Sequence, residues 1–231
     1  MSSARTLLAL DAAGSACSAA VWHGGAVVAH RLEAMSRGQS ERLVPMIEEV
    51  MGEAGLAYHG LDAIAVTRGP GGFTGVRIGL AAARGLALAW GRPIIAVSTL
   101  EAVAAATSEA ERRDRAILVL LDAKRADLYV QAFDSDLAPL SEPAALPPEM
   151  IVHGLPPGPL LLAGDGIGQA RRALDALGRD LVISRAPALC DAAQVAALAA
   201  RRALPAADAP APTALYLRAP DVTPPLAGRA L

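Results

Sequence analysis

Residues 6–32 read TLLALDAAGSACSAAVWHGGAVVAHRL. The apolar run 6–10 is a strand with no polar face, and it stops at Asp11. Residues 11–15, with Gly14 among them, make a turn. Residues 17–22 form a second strand, Gly24-Gly25 a second turn, and residues 26–32 a third strand. Three short strands joined by tight turns predict an antiparallel meander.

Outward from the meander, helix and strand signals alternate. Leu43, Ile47, Val50 and Ala54 recur at helical spacing over residues 40–54, with Pro45 near the start. Residues 61–67 read as a strand. A glycine-rich loop then leads into a helix over 75–90, and 93–97 is a further strand. Ser98 and Glu101 have capping-box spacing for a helix running to about residue 112. Three strands, helix, strand, helix, strand, helix is the order of a ribonuclease-H-like lobe. The second half repeats the theme. Strands are expected at 116–121 and 127–133, and a proline-rich loop follows through Pro147 and Pro148. A strand at 159–163, a helix to about 177, a strand at 181–184 and a helix from Asp191 to about 204 complete it. Asp11 and Asp122 both end a strand, and Trp22 and Phe133 both end the next one. The expectation is an α/β protein of the actin-like ATPase (ASKHA) superfold, with two such lobes and the second reduced. The expected divisions are 1–105 for the N-terminal lobe, 106–212 for the C-terminal lobe, and 213–231 for a tail packing back on the first lobe.

Composition narrows the function classes. The 231 residues are 53% hydrophobic and 19% charged, as in a globular chain. A net charge of −2 excludes the broad basic field of a stand-alone nucleic-acid binder. A local arginine patch stays compatible with it, since Lys124 is the only lysine. Cys17 and Cys190 are far apart and form no CxxC pair, no signal peptide is recognisable, and no stretch reads as a membrane span. A cytoplasmic location is expected.

The most specific segment is Arg68-Gly69-Pro70-Gly71-Gly72-Phe73-Thr74-Gly75-Val76-Arg77-Ile78-Gly79, placed between a strand and a helix where phosphate loops sit. It lacks the Gly-Lys-Ser/Thr ending of a Walker loop. It also misses GxGxxG, because the third glycine comes one residue late, at Gly75. Gly75, Gly79 and Ala83 leave one helix face almost bare. Such a face suits either a subunit interface or tight packing on the chain's own sheet. On helix 40–54, Leu43, Val44, Ile47, Val50 and Met51 cover more than one stripe. That breadth suits either deep burial or a second apolar contact. The histidines His23, His30, His59 and His153 have no metal-pair spacing, and no GxSxG elbow occurs. Asp11, Gly69, Gly71, Thr74, Gly164 and Gly166 are the residues a vestigial phosphate site would use, with Asp122 and Lys124 in the second half. The same residues are also ordinary turn formers.

Residues 68–79 closely resemble the Arg-Gly-Pro-Gly-Ser-Phe-Thr-Gly-x-Arg-Ile-Gly signature of the bacterial TsaB (YeaZ) family. Further matches stand in order: Leu10-Asp11 with Ala16-Cys17-Ser18, Ser40-Glu41-Arg42-Leu43 with Pro45-Met46, Val97-Ser98-Thr99-Leu100, Asp122-Ala123 with Tyr129, and Tyr216-Leu217-Arg218. The resemblance covers nearly the whole chain. Gly72 stands where the family usually has Ser, Gln39 where His is common, and Asp127-Leu128 in place of Glu-Val. These departures argue that the replaced groups are not catalytic here.

The resemblance implies a part in making threonylcarbamoyladenosine in tRNA. The implied role is a non-catalytic subunit that pairs with and activates a larger transferase paralogue, TsaD, with a P-loop ATPase, TsaE, docking on the pair. The tRNA would be met only through that complex, and a homodimer would form when the paralogue is absent. No cofactor is required, weak nucleotide binding stays open, and no metal is expected. The implied partner interface is Leu43, Val44, Ile47, Val50, Met51, Gly75, Arg77, Gly79 and Ala83. Competing readings are a small ATPase or kinase of the superfold, a peptidase, and a purely structural homodimer.

Overall fold

The computed structural model of the chain describes residues 5–206 and 209–218. The first sheet holds β1 (Thr6–Asp11), β2 (Ala16–His23), β3 (Ala26–Ala34), β4 (Ala63–Thr67) and β5 (Ile94–Val97), in the order β3-β2-β1-β4-β5. The first three strands are an antiparallel meander, and β4 and β5 add in parallel. Parallel joins need crossovers, and α1 (Gln39–Ala54) and α2 (Phe73–Trp90) supply them.

The helices α3 (Thr99–Ala105) and α4 (Glu109–Arg112) lead to a second sheet. It holds β6 (Ala116–Asp122), β7 (Leu128–Phe133), β8 (Ala144–Leu146), β9 (Leu160–Ala163) and β10 (Leu181–Ile183), in the order β10-β9-β6-β7-β8. Counted from its own first strand, this is the order of the first sheet. α5 (Ile167–Asp175) crosses from β9 to β10, and α6 (Ala192–Ala200) follows. The chain is thus an α/β protein built of two like lobes, the actin-like arrangement.

Two expected elements differ. The proline-rich loop contains β8, which pairs with β7 over three residues; so short a strand leaves no alternation to read. The expected helix to 112 is two helices, because a second capping box, Ser108 with Glu111, starts a new one.

Strand alternation sets the layers. In β1, Leu8 and Leu10 face α1 and α2, while Leu7 and Ala9 face α3 and α6. In β6, Ile117 and Val119 face the same α3 and α6 layer, and Leu118 and Leu120 face α5. Both sheets are therefore covered on both sides, and β1 is buried along its whole length. Within the shared middle layer, α6 presents mostly small residues. It buries Ala192, Val195, Ala196 and Ala199, which lets it lie close to the first sheet.

α6 belongs in sequence to segment 106–212, yet it packs on the first sheet. That sheet also holds its N-terminus. The Ala192 amide donates to Ser18 Oγ on β2 (2.8 Å), and His30 Nε2 on β3 lies 2.7 Å from Asp191 Oδ1. Asp191 in turn caps the helix by accepting from the Ala193 amide. After residue 212 the chain returns to the first lobe, where the Leu215 amide donates to Arg68 O (2.7 Å) and Ala214 joins the α1–α2 core. Arg218 pairs with Asp127 of the second lobe at 3.2 Å. The rest of the tail, beyond 218, lies outside the described residues.

Candidate functional site

β1 and β6 end side by side at a cleft of about 690 Å³ between the lobes. The β1–β2 turn, the β3–α1 loop, residues 70–75 and the loop before α6 line it from the first lobe, and Asp122, Lys124, Tyr129 and Asp165 from the second. The site residues Gly71, Thr74 and Gly75 reach this cleft.

Asp11 does not open to it. Its carboxylate is fully buried: Oδ1 accepts from Thr67 Oγ1 (2.5 Å) and from the Ala13 amide (3.3 Å). Oδ2 has no hydrogen-bond partner among the described residues. Burial pushes this carboxyl up to about 6, against the hydrogen bonds from Thr67, Ala13 and the Cys190 side chain. Burial also holds the Cys190 thiol well above its ordinary value, with Asp11 adding to the effect. The expected use of Asp11 for metal-bound phosphates is corrected here, because its charge is sealed under the hairpin. Asp122, its counterpart in β6, is more open. Burial would raise it, but hydrogen bonds from Gln169 and from the Lys124 amide and ammonium hold it below the usual carboxylate range. Among the described residues no three His, Cys, Asp or Glu side chains gather as a metal-binding group.

The glycines of both loops meet backbone. A Cβ on Gly71 would lie 2.3 Å from Ala13 O, and one on Gly75 2.0 Å from Ala12 O. The Gly72 amide donates to Ala13 O at 2.7 Å. The second lobe repeats this device: a Cβ on Gly164 would lie 2.2 Å from Leu120 O, and the Gly166 amide donates to that oxygen at 2.9 Å. Gly69 is buried, and its carbonyl accepts from the Thr99 amide. In each lobe the glycine loop clamps the end of the first strand, so Gly69, Gly71, Gly164 and Gly166 serve close approach within the chain.

The expected interface residues are also largely internal. Leu43, Ile47, Val50 and Met51 are buried in the first-lobe core together with Met46, because α1 lies over β2 and β3 and against α2 at once. The bare face of α2 is used the same way: Gly75 meets the β1–β2 turn, Gly79 faces Val66, and Ala83 is buried. These eight positions reduce to one exposed member, Val44, at 52%. The ninth, Arg77, lies on the outer face of α2. Leu88, 87% exposed, stands on the same helix with exposed Ala81, and sequence spacing did not single it out.

A second cluster also went unread. The Arg77 guanidinium carbon sits 3.4 Å over the Phe73 ring, and Arg77 Nε donates to Tyr216 Oη at 3.0 Å. The i, i+4 spacing of Phe73 and Arg77 was a legible signal. Nothing local points to Tyr216, which arrives from the returning tail.

Comparison with known proteins places the chain. The family model of tRNA N6-adenosine threonylcarbamoyltransferase (TsaD) matches residues 32–159, more than half of it. The tRNA threonylcarbamoyladenosine biosynthesis protein TsaB of Escherichia coli K12 is 38% identical over 130 residues, covering 56% of this chain and 55% of that one. The chain thus spans about half the length of the curated relatives it matches. The structure of YeaZ from Pseudomonas aeruginosa superposes with a TM-score of 0.75 at 34% identity, over 84% of this chain and 90% of that one. A 2-hydroxyisocaproyl-CoA dehydratase activator from Clostridium difficile, solved with ADPNP, covers 84% of this chain and 94% of that one at a TM-score of 0.50 and 12% identity, and shares the fold alone.

Proposed function

The chain belongs to the TsaB (YeaZ) branch of the threonylcarbamoyltransferase family, and from that premise we propose that it is the partner subunit that binds and activates a TsaD-like transferase in tRNA threonylcarbamoyladenosine synthesis. The observation that carries this reading is the contrast between the two faces of the first lobe. On the cleft side, the β1 carboxylate that would meet a metal-bound phosphate is sealed. On the outer side, Val44 of α1 and Leu88 of α2 are exposed, and so is the small residue Ala81 on the same helix as Leu88. Apolar side chains on neighbouring helices suit a helix-on-helix contact with a second protein of the same fold. The contact would bias the transferase toward its active conformation. A TsaE-like ATPase would dock on the pair, and a second copy of this chain would take the same face when the transferase is absent.

The test is threonylcarbamoyl transfer to tRNA by the purified TsaD- and TsaE-like proteins, with and without this chain. Stimulation by the wild-type chain, lost in Leu88→Arg, supports the reading. Equal transfer without the chain refutes it. Weak nucleotide binding in the cleft, near Thr74 and Lys124, is compatible with this role and not required by it.

A further inference from the structure

The chain has seven aromatic residues. Phe133 is buried, Trp22 and Tyr129 pack against the central core, and Tyr58 stacks on Trp90 at 4.3 Å. Phe73 and Tyr216 remain, 51% and 47% exposed, and they lie together with ring centroids 5.6 Å apart. Arg77 joins them, stacked on Phe73 and hydrogen-bonded to Tyr216. Phe73 also lines the cleft.

The cleft that Phe73 lines carries both signs, with Asp122 and Asp165 as well as Arg37 and Lys124 on its walls. Among the described residues seven Arg and Lys side chains are seen paired with a carboxylate: Arg31, Arg42, Arg115, Lys124, Arg171, Arg202 and Arg218. Among the described residues, Arg37, Arg68, Arg77 and Arg84 have none. Arg37 lines the cleft with Phe73. Arg68 leads into the glycine loop, and its carbonyl holds the tail next to Tyr216. Arg84 lies two helical turns beyond Arg77 and donates to Pro212 O of the same tail. An aromatic face with flanking unpaired guanidinium groups is the chemistry that recognises an unpaired base and its phosphates.

We propose that Phe73, Arg77 and Tyr216 form a stacking platform for an unpaired base of RNA, with Arg37 and Arg68 taking the adjoining phosphates. The inference rests on the tRNA-modifying role above and extends it, since that role has the tRNA held by the complex and this one has the chain touch it. The acidic chain as a whole then needs no basic field, because the local patch adds to binding supplied elsewhere.

The experiment is fluorescence anisotropy with a labelled, unmodified tRNA transcript and a fully duplex RNA as control. It uses the full chain, alone and with its TsaD-like partner. Phe73→Ala should weaken tRNA binding about 5- to 150-fold, the range for loss of one stacked base. Arg37→Ala and Arg68→Ala should each lower the salt slope by about 0.7. Tyr216→Ala removes the second ring and should weaken tRNA binding as well, and duplex RNA should not respond to Phe73→Ala. Circular dichroism checks that each variant is folded. Wild-type affinity in folded Phe73→Ala and Arg77→Ala overturns the proposal, as does a wild-type chain that adds nothing to tRNA binding. Loss of TsaD-like partner binding with tRNA affinity unchanged also overturns it, assigning the patch to a protein contact. Transfer stimulated by the wild-type chain in any of these cases leaves the partner role standing.

Discussion

Gly75 and Gly85 lie on the same helix, and replacing each by alanine should move stability in opposite directions. A Cβ at position 75 would stand 2.0 Å from Ala12 O, where real contacts stay above 3.0 Å. The helix and the β1–β2 turn must therefore part by roughly 1 Å. Ala12 and Ala13 are buried, and the Gly72 amide bonds to the same turn, so neither side yields freely. Overpacking of this kind costs about 1–3 kcal/mol, and the upper end applies because the obstacle is backbone. Helix propensity returns about 1 kcal/mol. The net loss of about 2 kcal/mol lowers Tm by about 4–8 °C in a chain of this size. At Gly85 nothing lies within 4 Å of the added carbon. The propensity gain of about 1 kcal/mol then stands alone, and Tm rises by about 2–4 °C. Thermal denaturation followed by circular dichroism reads both. A Gly75→Ala protein as stable as wild type would refute the close-approach account. If it had also lost its partner, the bare face of α2 would be a docking surface after all.

Other outcomes follow from the same structure. Asp11 has a folded-state value of about 6, above its ordinary 3.8, so the folded protein holds this proton more tightly than the unfolded chain. Its contribution is full below about pH 4 and is lost as pH rises through about 6, at most about 3 kcal/mol. Asp11→Asn should flatten the Tm profile in that window, and an unchanged profile would show the carboxyl is not buried as described. Asp191→Ala removes the cap of α6 and should cost about 1–2 kcal/mol. The same variant should bring His30, raised chiefly by its hydrogen bond to Asp191, back toward 6.5 in an NMR titration. Leu88→Arg should leave the unfolding free energy within about 0.5 kcal/mol of wild type while abolishing capture of the TsaD-like partner. Ile47→Arg should unfold the chain, because that side chain is core.

Much of the architecture was legible, and for a physical reason. Strands buried on both faces read as continuous apolar runs, and the runs at 6–10 and 116–121 announced the two lobes. The paired Asp11 and Asp122 marked equivalent strand ends because both lobes clamp that point with a glycine loop. What stayed hidden was direction. The spacing of Gly75, Gly79 and Ala83 shows that something approaches closely, but not whether it is the same chain. The turn carbonyls at Ala12 and Ala13 are the answer, and they lie sixty residues away in sequence. The width of the apolar arc on α1 was real, but β3 and α2 absorb it. Phe73 and Tyr216 meet only because the tail returns to Arg68, a contact no local pattern carries.

The placement of α6 matters while the chain is being made. β5 ends at Val97 and α6 ends at Ala200, roughly a hundred residues later. At about 5–20 residues per second, a ribosome needs roughly 5–20 s to cross that interval. Until it has done so, the inner face of the first sheet, with Leu7, Ala9, Ala65 and Val97, lacks α6, one of the two helices that cover it. The first half of the nascent chain is therefore not a unit that finishes by itself. It waits, apolar face open, for its own distant helix, and that wait is when a chaperone would matter most to this protein.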